Sequence, residues 1–170
     1  MYDLWGEEEQ SDTAQVCLNG HPINSTACSN PHMNRKFCDK CGQPTILECP
    51  NCRAAIRGYS GYETPGIPSK FEYEPPAFCY ECGSAFPWTE ARVKAAKDLT
   101  AEWEELTEEE RRTLAASVDD IVRDSPQAGV AATRLKKILA KVGKHGGATL
   151  LDIIKGVASE AAKKILWPVP

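Results

Sequence analysis

Three Cys-x-x-Cys pairs, Cys38/Cys41, Cys49/Cys52 and Cys79/Cys82, stand in the first half of the chain. Two sulfurs on one tight turn hold one edge of a tetrahedral Zn²⁺, and two such turns close the site. Gly42 and Gly83 follow two of the pairs directly. A zinc knuckle bends sharply at that point, where a Cβ is unwelcome. Two sites need eight donors, so a fourth pair must come from Cys17, Cys28, His21 and His32. Cys17-Leu-Asn-Gly-His21 and Cys28-Ser-Asn-Pro-His32 share one spacing. Cys17/His21 is preferred, because Val16-Cys17-Leu18 reads as a strand ending in a glycine-containing turn. Cys28 then reads as a free, semi-exposed thiol and His32 as a surface residue. His145 reads as a solvated residue of a helix–helix turn. The expected ligands of two Zn²⁺ per chain are Cys17, His21, Cys38, Cys41, Cys49, Cys52, Cys79 and Cys82.

How the pairs combine is left open between two readings. The sequential one joins Cys38/Cys41 to Cys49/Cys52. The interleaved one joins Cys17/His21 to Cys49/Cys52, and Cys38/Cys41 to Cys79/Cys82. Interleaving is favoured because it unites two similar knuckles, FCDKCG and FCYECG, and ties distant segments together. It would also resemble the cross-brace of RING-type ubiquitin ligases. Seven residues separate Cys41 from Cys49, however, where the RING spacing is two or three. Few large aliphatics stand among the cysteines, so metal must supply much of the folding free energy there. Structural zinc contributes on the order of 10 kcal/mol in small peptides.

The elements that must position these donors follow from the rest of the chain. Its 170 residues carry a net charge of −4, with all eight cysteines at or before Cys82. Residues 1–14 read as a flexible acidic arm, 15–87 as a double zinc-binding ribbon domain and 88–167 as a helical domain. The expected fold is thus a small zinc-stabilised, β-rich ribbon or knuckle domain followed by about four helices. Residues 1–87 carry net −5, 88–124 net −5 and 125–170 net +6. Thr89 reads as the N-cap of a helix to about Leu106, with Val93, Ala96, Leu99 and Trp103 on one face. Thr107 and Glu110 form a capping-box pattern ahead of the stripe Leu114, Val118, Ile121, Val122. Ser125-Pro126 opens a third helix using Val130, Leu135, Ile138, Leu139 and Val142, which Gly143, Gly146 and Gly147 should end. A fourth runs from about Ala148 until Pro168 stops it.

The motifs CLNGH, FCDKCGQPTILECPNC and PAFCYECGSAFPWTEAR, followed by a charged helical tail, resemble a bacterial zinc-ribbon family of unknown function. The resemblance covers roughly residues 15–166. It implies a bacterial or phage-borne cytosolic protein with the ligands named above, and it implies no activity.

Function is expected to be non-enzymatic. Sites filled by four cysteines, or by three and a histidine, leave no open position for substrate. Glu48-Cys49-Pro50-Asn51-Cys52 has the P-C-x-x-C half of a deaminase pattern without its H-x-E, and neither H-E-x-x-H nor a Gly-rich phosphate loop occurs. The favoured role is a protein–protein interaction or assembly module, with an unknown protein or a second copy as partner. Nucleic acid is an alternative, through Arg53, Arg57, Tyr59, Tyr62, Lys70, Phe71 and Tyr73, or through Arg134, Lys136, Lys137, Lys141 and Lys144. A third is membrane association through the amphipathic stretch Ala148–Trp167 with Lys155, Lys163 and Lys164. The N-terminus lacks the features of a secretory signal, so a cytoplasmic location is expected, where thiols stay reduced.

Overall fold

A computed structural model describes residues 11–59 and 73–168, apart from the side chains of 143–145. The chain divides into two compact units, the first ending at Trp88 and the second beginning at Thr89. The expected order, a small β-rich cysteine unit and then helices, is the order found.

The first unit rests on a three-stranded antiparallel sheet with β1 (Gln15–Cys17) between β2 (Pro22–Asn24) and β3 (Thr45–Ile46). Every residue of β1 is buried. Val16 lies opposite Pro22 on one side and Ile46 on the other, and Cys17 lies opposite Thr45. Such short strands expose backbone that side chains must satisfy. Buried Asn24 does this for the loop after β2. Its amide donates to the Asn30 carbonyl at 2.9 Å and to Asn34 Oδ1 at 2.7 Å, and its Oδ1 accepts from Thr26 N at 3.0 Å. Ala14, Val16, Ile56, Phe86 and Trp88 make a small core. Phe86 and Trp88 stack with centroids 4.6 Å apart, and the Trp88 indole N–H donates to the Pro76 carbonyl at 2.9 Å. Tyr73 donates its hydroxyl to the Arg57 carbonyl at 2.6 Å.

The second unit packs α2 (Glu108–Val122), α3 (Pro126–Lys155) and α4 (Glu160–Leu166) with the part of α1 (Pro87–Ala101) that follows Trp88. Leu114, Val118 and Ile121 of α2 are fully buried with Leu135, Leu150 and Ile154 of α3. The capping box at Thr107 is present in both directions, Thr107 Oγ1 accepting from Glu110 N and Glu110 accepting from Thr107 N. Acidic α2 and basic α3 are tied by the Lys141–Glu110 ion pair, and Lys97 of α1 meets Asp119 at 2.7 Å.

The helix boundaries correct the reading in four places. α1 begins at Pro87, not after Thr89, because proline suits the first helical position. It ends at Ala101, five residues early, where Glu102, Glu104 and Glu105 put negative charge at the negative end of the helix dipole. Gly143, Gly146 and Gly147 do not stop α3, which runs unbroken for 30 residues and carries His145 inside it. Each interior glycine costs about 1 kcal/mol relative to alanine, but the buried stripe continues across them from Leu139 to Leu150 and Ile154. Gly146 also makes room for Trp103, since a Cβ there would stand 3.3 Å from the indole nitrogen and 3.0 Å from Val142 Cγ1. The break comes instead at Gly156–Ser159, where Arg92 of α1 donates to the Ile153 carbonyl at 3.3 Å and Ser159 N donates to the Ile121 carbonyl at 2.8 Å.

Ala148–Trp167 is therefore two helices, and its apolar stripe packs inward: Leu150, Ile154 and Val157 are buried, and Leu151, Ile165 and Leu166 pack half-buried against the same core. Val130, read as part of the α3 stripe, is 53% exposed. Among the described residues no helix is long and apolar enough to cross a membrane.

Thr107→Ala is expected to lower the stability of the helical unit by about 1 kcal/mol through loss of the cap. Leu114→Ala should lower it by about 2–5 kcal/mol through loss of buried volume. Denaturant titration followed by far-UV circular dichroism measures both.

Candidate metal centres

Four turns carry the donors, and three are built alike. In the turn of Cys38, the Cys38 N–H donates to the Gln43 carbonyl and the Gly42 N–H to the Cys38 carbonyl, both at 2.8 Å. Cys49 repeats this with Ala54 and Arg53, and Cys79 with Ser84 and Gly83. Each turn is closed by a two-residue bridge, Phe37 to Pro44, Glu48 to Ala55 and Phe78 to Ala85. The residue after the second cysteine takes a left-handed conformation every time, at φ 71° for Gly42, 63° for Arg53 and 69° for Gly83. The glycines accept it freely, whereas Arg53 holds it with a side chain, at a cost of order 1 kcal/mol. The fourth turn, Cys17 to His21, turns through Gly20 at φ 83°. A Cβ on Gly20 would come within 2.8 Å of Trp88 Cβ, so glycine there satisfies both the dihedral and the packing.

These turns converge in two clusters, Cys17/His21/Cys38/Cys41 and Cys49/Cys52/Cys79/Cys82, each with its four donor atoms within 4.8 Å of one another. In the first, Cys17 Sγ stands 3.5 Å from His21 Nδ1 and 3.8 Å from Cys41 Sγ, and Cys38 Sγ is 3.5 Å from the same nitrogen. In the second, Cys49 and Cys82 stand 3.8 Å apart, and Cys52 and Cys79 3.6 Å apart. Around a tetrahedral ion bonded at about 2.3 Å to sulfur and about 2.0 Å to nitrogen, sulfurs lie about 3.8 Å apart and sulfur to nitrogen about 3.5 Å. The donor sets fit that geometry. They are far from the S–S length of about 2.05 Å in a disulfide, and all eight cysteines are free. Each cluster could hold one metal ion.

The grouping differs from both readings of the sequence. Cys17/His21 joins Cys38/Cys41, and Cys49/Cys52 joins Cys79/Cys82, so the order is neither interleaved nor cross-braced. β-pairing is the reason. β3 pairs with β1 at Cys17 and Thr45, and the hairpin that leads into β3 carries Cys38 and Cys41. The ends of the shared strand thus bring the first two turns together. Shorter loops are also cheaper to close, though only weakly. Cys28 and His32 lie outside both clusters and are exposed, as read. The Cys28 N–H is held by Asp12 at 3.0 Å.

Electrostatics divides the sulfurs. Hydrogen bonds from Ser84 and Asn51 pull the Cys82 thiol down to about 5. The Gln43 backbone N–H is the chief cause bringing Cys41 down to about 6. The Ala54 backbone N–H acts to lower Cys52, but partial desolvation and the three neighbouring sulfurs together push it up to about 12. Burial pushes the Cys17 thiol up. Sulfurs this close cannot all carry charge without a cation between them. Asn51, which donates to Ser84 Oγ at 3.1 Å, ties the two turns of the second cluster together. Neither residue was singled out in the sequence, and their positions next to ligating cysteines, inside CPNC and just after FCYECG, were the only signal.

Each cluster is expected to bind one metal ion, two per chain by elemental analysis. Cys38→Ser should remove one and Cys79→Ser the other. Affinity should fall as pH is lowered from about 8 to about 5, because each ligating thiol must lose a proton and protons compete as pH falls. A chelator-competition titration across that range measures it.

A family model described as an uncharacterized protein conserved in bacteria, DUF2321, matches residues 10–166. No curated protein and no solved structure matches the chain. With paired metal-binding turns and helices lying within the matched span, the chain belongs to this bacterial family.

Proposed function

We propose that this is a non-enzymatic zinc protein, its two ions acting as structural clips, and that it serves as a protein–protein interaction module in the cytoplasm. The observation that carries the reading is the completeness of each donor set. Four protein donors meet in each cluster, and among the described residues no further histidine or carboxylate joins either. A catalytic zinc keeps a position for water or substrate, and a general base stands near it. Donor type favours zinc, since thiolate and imidazole in tetrahedral array select it over hard cations. A reducing compartment suits eight free thiols.

Large apolar side chains near the clusters are exposed. Phe37, next to the ligand Cys38, is 62% exposed, and Met33 and Leu47 are also exposed. Arg35, Lys36 and Lys40 flank them in sequence and are exposed too. Aromatic and aliphatic side chains rimmed by cations are the composition of a protein-binding surface. Nucleic acid is the second reading, favoured by exposed Arg134, Lys136 and Lys137 on α3. It is weakened at Arg57, whose guanidinium already lies over the Tyr80 ring at 4.1 Å. Tyr62, Lys70 and Phe71 lie outside the described residues.

Phe37→Ala is expected to keep both metal ions and abolish capture of a specific protein that co-purifies with the wild-type chain. Salt-dependent binding of polynucleotides, lost on replacing Arg134, Lys136 and Lys137, would favour the second reading instead. Turnover that depends on the metal would overturn the non-enzymatic one.

A further inference from the structure

The two clusters differ in what reaches them. In the first, Cys17 and Cys38 are buried, Cys41 is half-buried, and the fourth donor is an imidazole, which forms no disulfide. Trp88 packs against Gly20 in the turn between Cys17 and His21. In the second, Cys49 and Cys79 are buried, but Cys52 and Cys82 are exposed. Each exposed cysteine faces a buried one from the other turn, with sulfurs 3.6 Å apart for Cys52 and Cys79 and 3.8 Å apart for Cys82 and Cys49. Cys17 and Cys41 are as close to each other, so distance alone does not separate the clusters; access does.

A further asymmetry lies in the backbone. The turn that carries Cys52 is the one whose left-handed position is Arg53 and not glycine. It is the most strained of the three related turns and gains most from rearranging. An all-thiolate donor set also leaves a bound divalent ion with formal charge −2, against −1 for three thiolates and an imidazole. Its sulfurs are correspondingly more electron-rich.

We propose that Cys49/Cys52/Cys79/Cys82 is an oxidation site. A peroxide would join exposed Cys52 to Cys79, or exposed Cys82 to Cys49, releasing the metal of this cluster while Cys17/His21/Cys38/Cys41 keeps its own. The proposal rests on the metal-clip reading above. The exposed thiolate attacks a peroxide oxygen, the O–O bond breaks and hydroxide leaves, giving a sulfenic acid. The facing thiolate then attacks that sulfur, the S–O bond breaks and a second hydroxide leaves. Two sulfurs lose one electron each, the peroxide gains both, and the two hydroxides take two protons from solvent. Two thiolates remain of four, too few to hold the ion. The cross-link spans the two turns that the Asn51–Ser84 hydrogen bond already joins.

Cys28 is a further exposed thiol, so the test uses the full chain with Cys28→Ser and, in parallel, the wild-type chain. Metal content is measured first, then hydrogen peroxide is added, with released metal followed by a colorimetric chelator and cross-links by peptide mass spectrometry. The state of Cys17, Cys38 and Cys41 in the same peptide maps follows the first cluster. The expected result is release of one equivalent of two, a Cys52–Cys79 or Cys49–Cys82 cross-link, Cys17, Cys38 and Cys41 left as thiols, and reloading after a dithiol reductant. Release of both ions together, release of neither, or earlier cross-linking among Cys17, Cys38 and Cys41 would overturn the proposal with the clip reading intact. Absence of bound metal at the outset would sink the clip reading. The cross-link map still tests the oxidation site in that case, since cross-linking in the second cluster ahead of the first is required either way.

Discussion

Repulsion among closely held sulfurs is the constraint on which the first unit depends. Sulfurs 3.6–3.8 Å apart cannot all be thiolates in the absence of a cation. The turns nevertheless aim them at common points, through backbone hydrogen bonds repeated three times in nearly the same form. Between them lie strands of two and three residues and a core of a few large side chains. Hydrophobic burial of that size supports little structure alone, and small domains of this kind rely on metal or disulfides. All eight cysteines are free, and the two donor clusters could each hold a metal ion. Donors, turns and sheet are connected, since β1 carries Cys17 and pairs with β3, next to the hairpin that carries Cys38 and Cys41.

The helical unit is held by a different force. Its core is continuous aliphatic surface shared by α2 and α3, with Trp103 and α4 completing it. Polar contacts act at the ends of elements, where helices leave carbonyls and N–H groups without partners. Thr107 caps α2, Ser159 caps α4, and Arg92 reaches the last turn of α3. Charge complementarity between acidic α2 and basic α3 adds the Lys141–Glu110 pair. Much of the basic stripe remains exposed beyond it. One chain thus carries a unit built around two clusters of potential metal donors and a unit built on aliphatic packing. A change that removes metal and a change that removes aliphatic volume should therefore be separable by experiment.

Regularity in a sequence transfers to structure where the interaction it encodes is local. The Cys-x-x-Cys turns, the glycines after Cys41 and Cys82, and the Thr107 box all involve residues within a few positions of one another, and all were legible. The glycines of α3 show the opposite case. Gly143, Gly146 and Gly147 look like a stop, because glycine lowers helix propensity. The helix continues because Leu139, Leu150 and Ile154 lie on one buried face, and because Trp103, distant in sequence, fits against Gly146. Propensity lost to packing there, as it usually does when the two disagree by more than a kilocalorie or so. The apolar stripe of Ala148–Trp167, which suits an interface with lipid or with a second copy, is covered by the same core.

Composition and spacing alone indicated a cysteine-rich front with donors spaced as metal ligands are, and a helical rear, and gave Cys17/His21 as a preference over Cys28/His32. Those properties follow from residue types and from turns a few residues long. Only the tertiary structure decided that the first pair of donors meets the second, and the third the fourth. It also decided that Cys52 and Cys82 of the later cluster are exposed, while in the earlier one Cys17 and Cys38 are buried and Cys41 is half-buried. Spacing is identical for every way of combining the pairs. The choice is made by strand pairing between β1 and β3 and by side chains brought from elsewhere in the chain, and these interactions leave no periodic trace in the sequence.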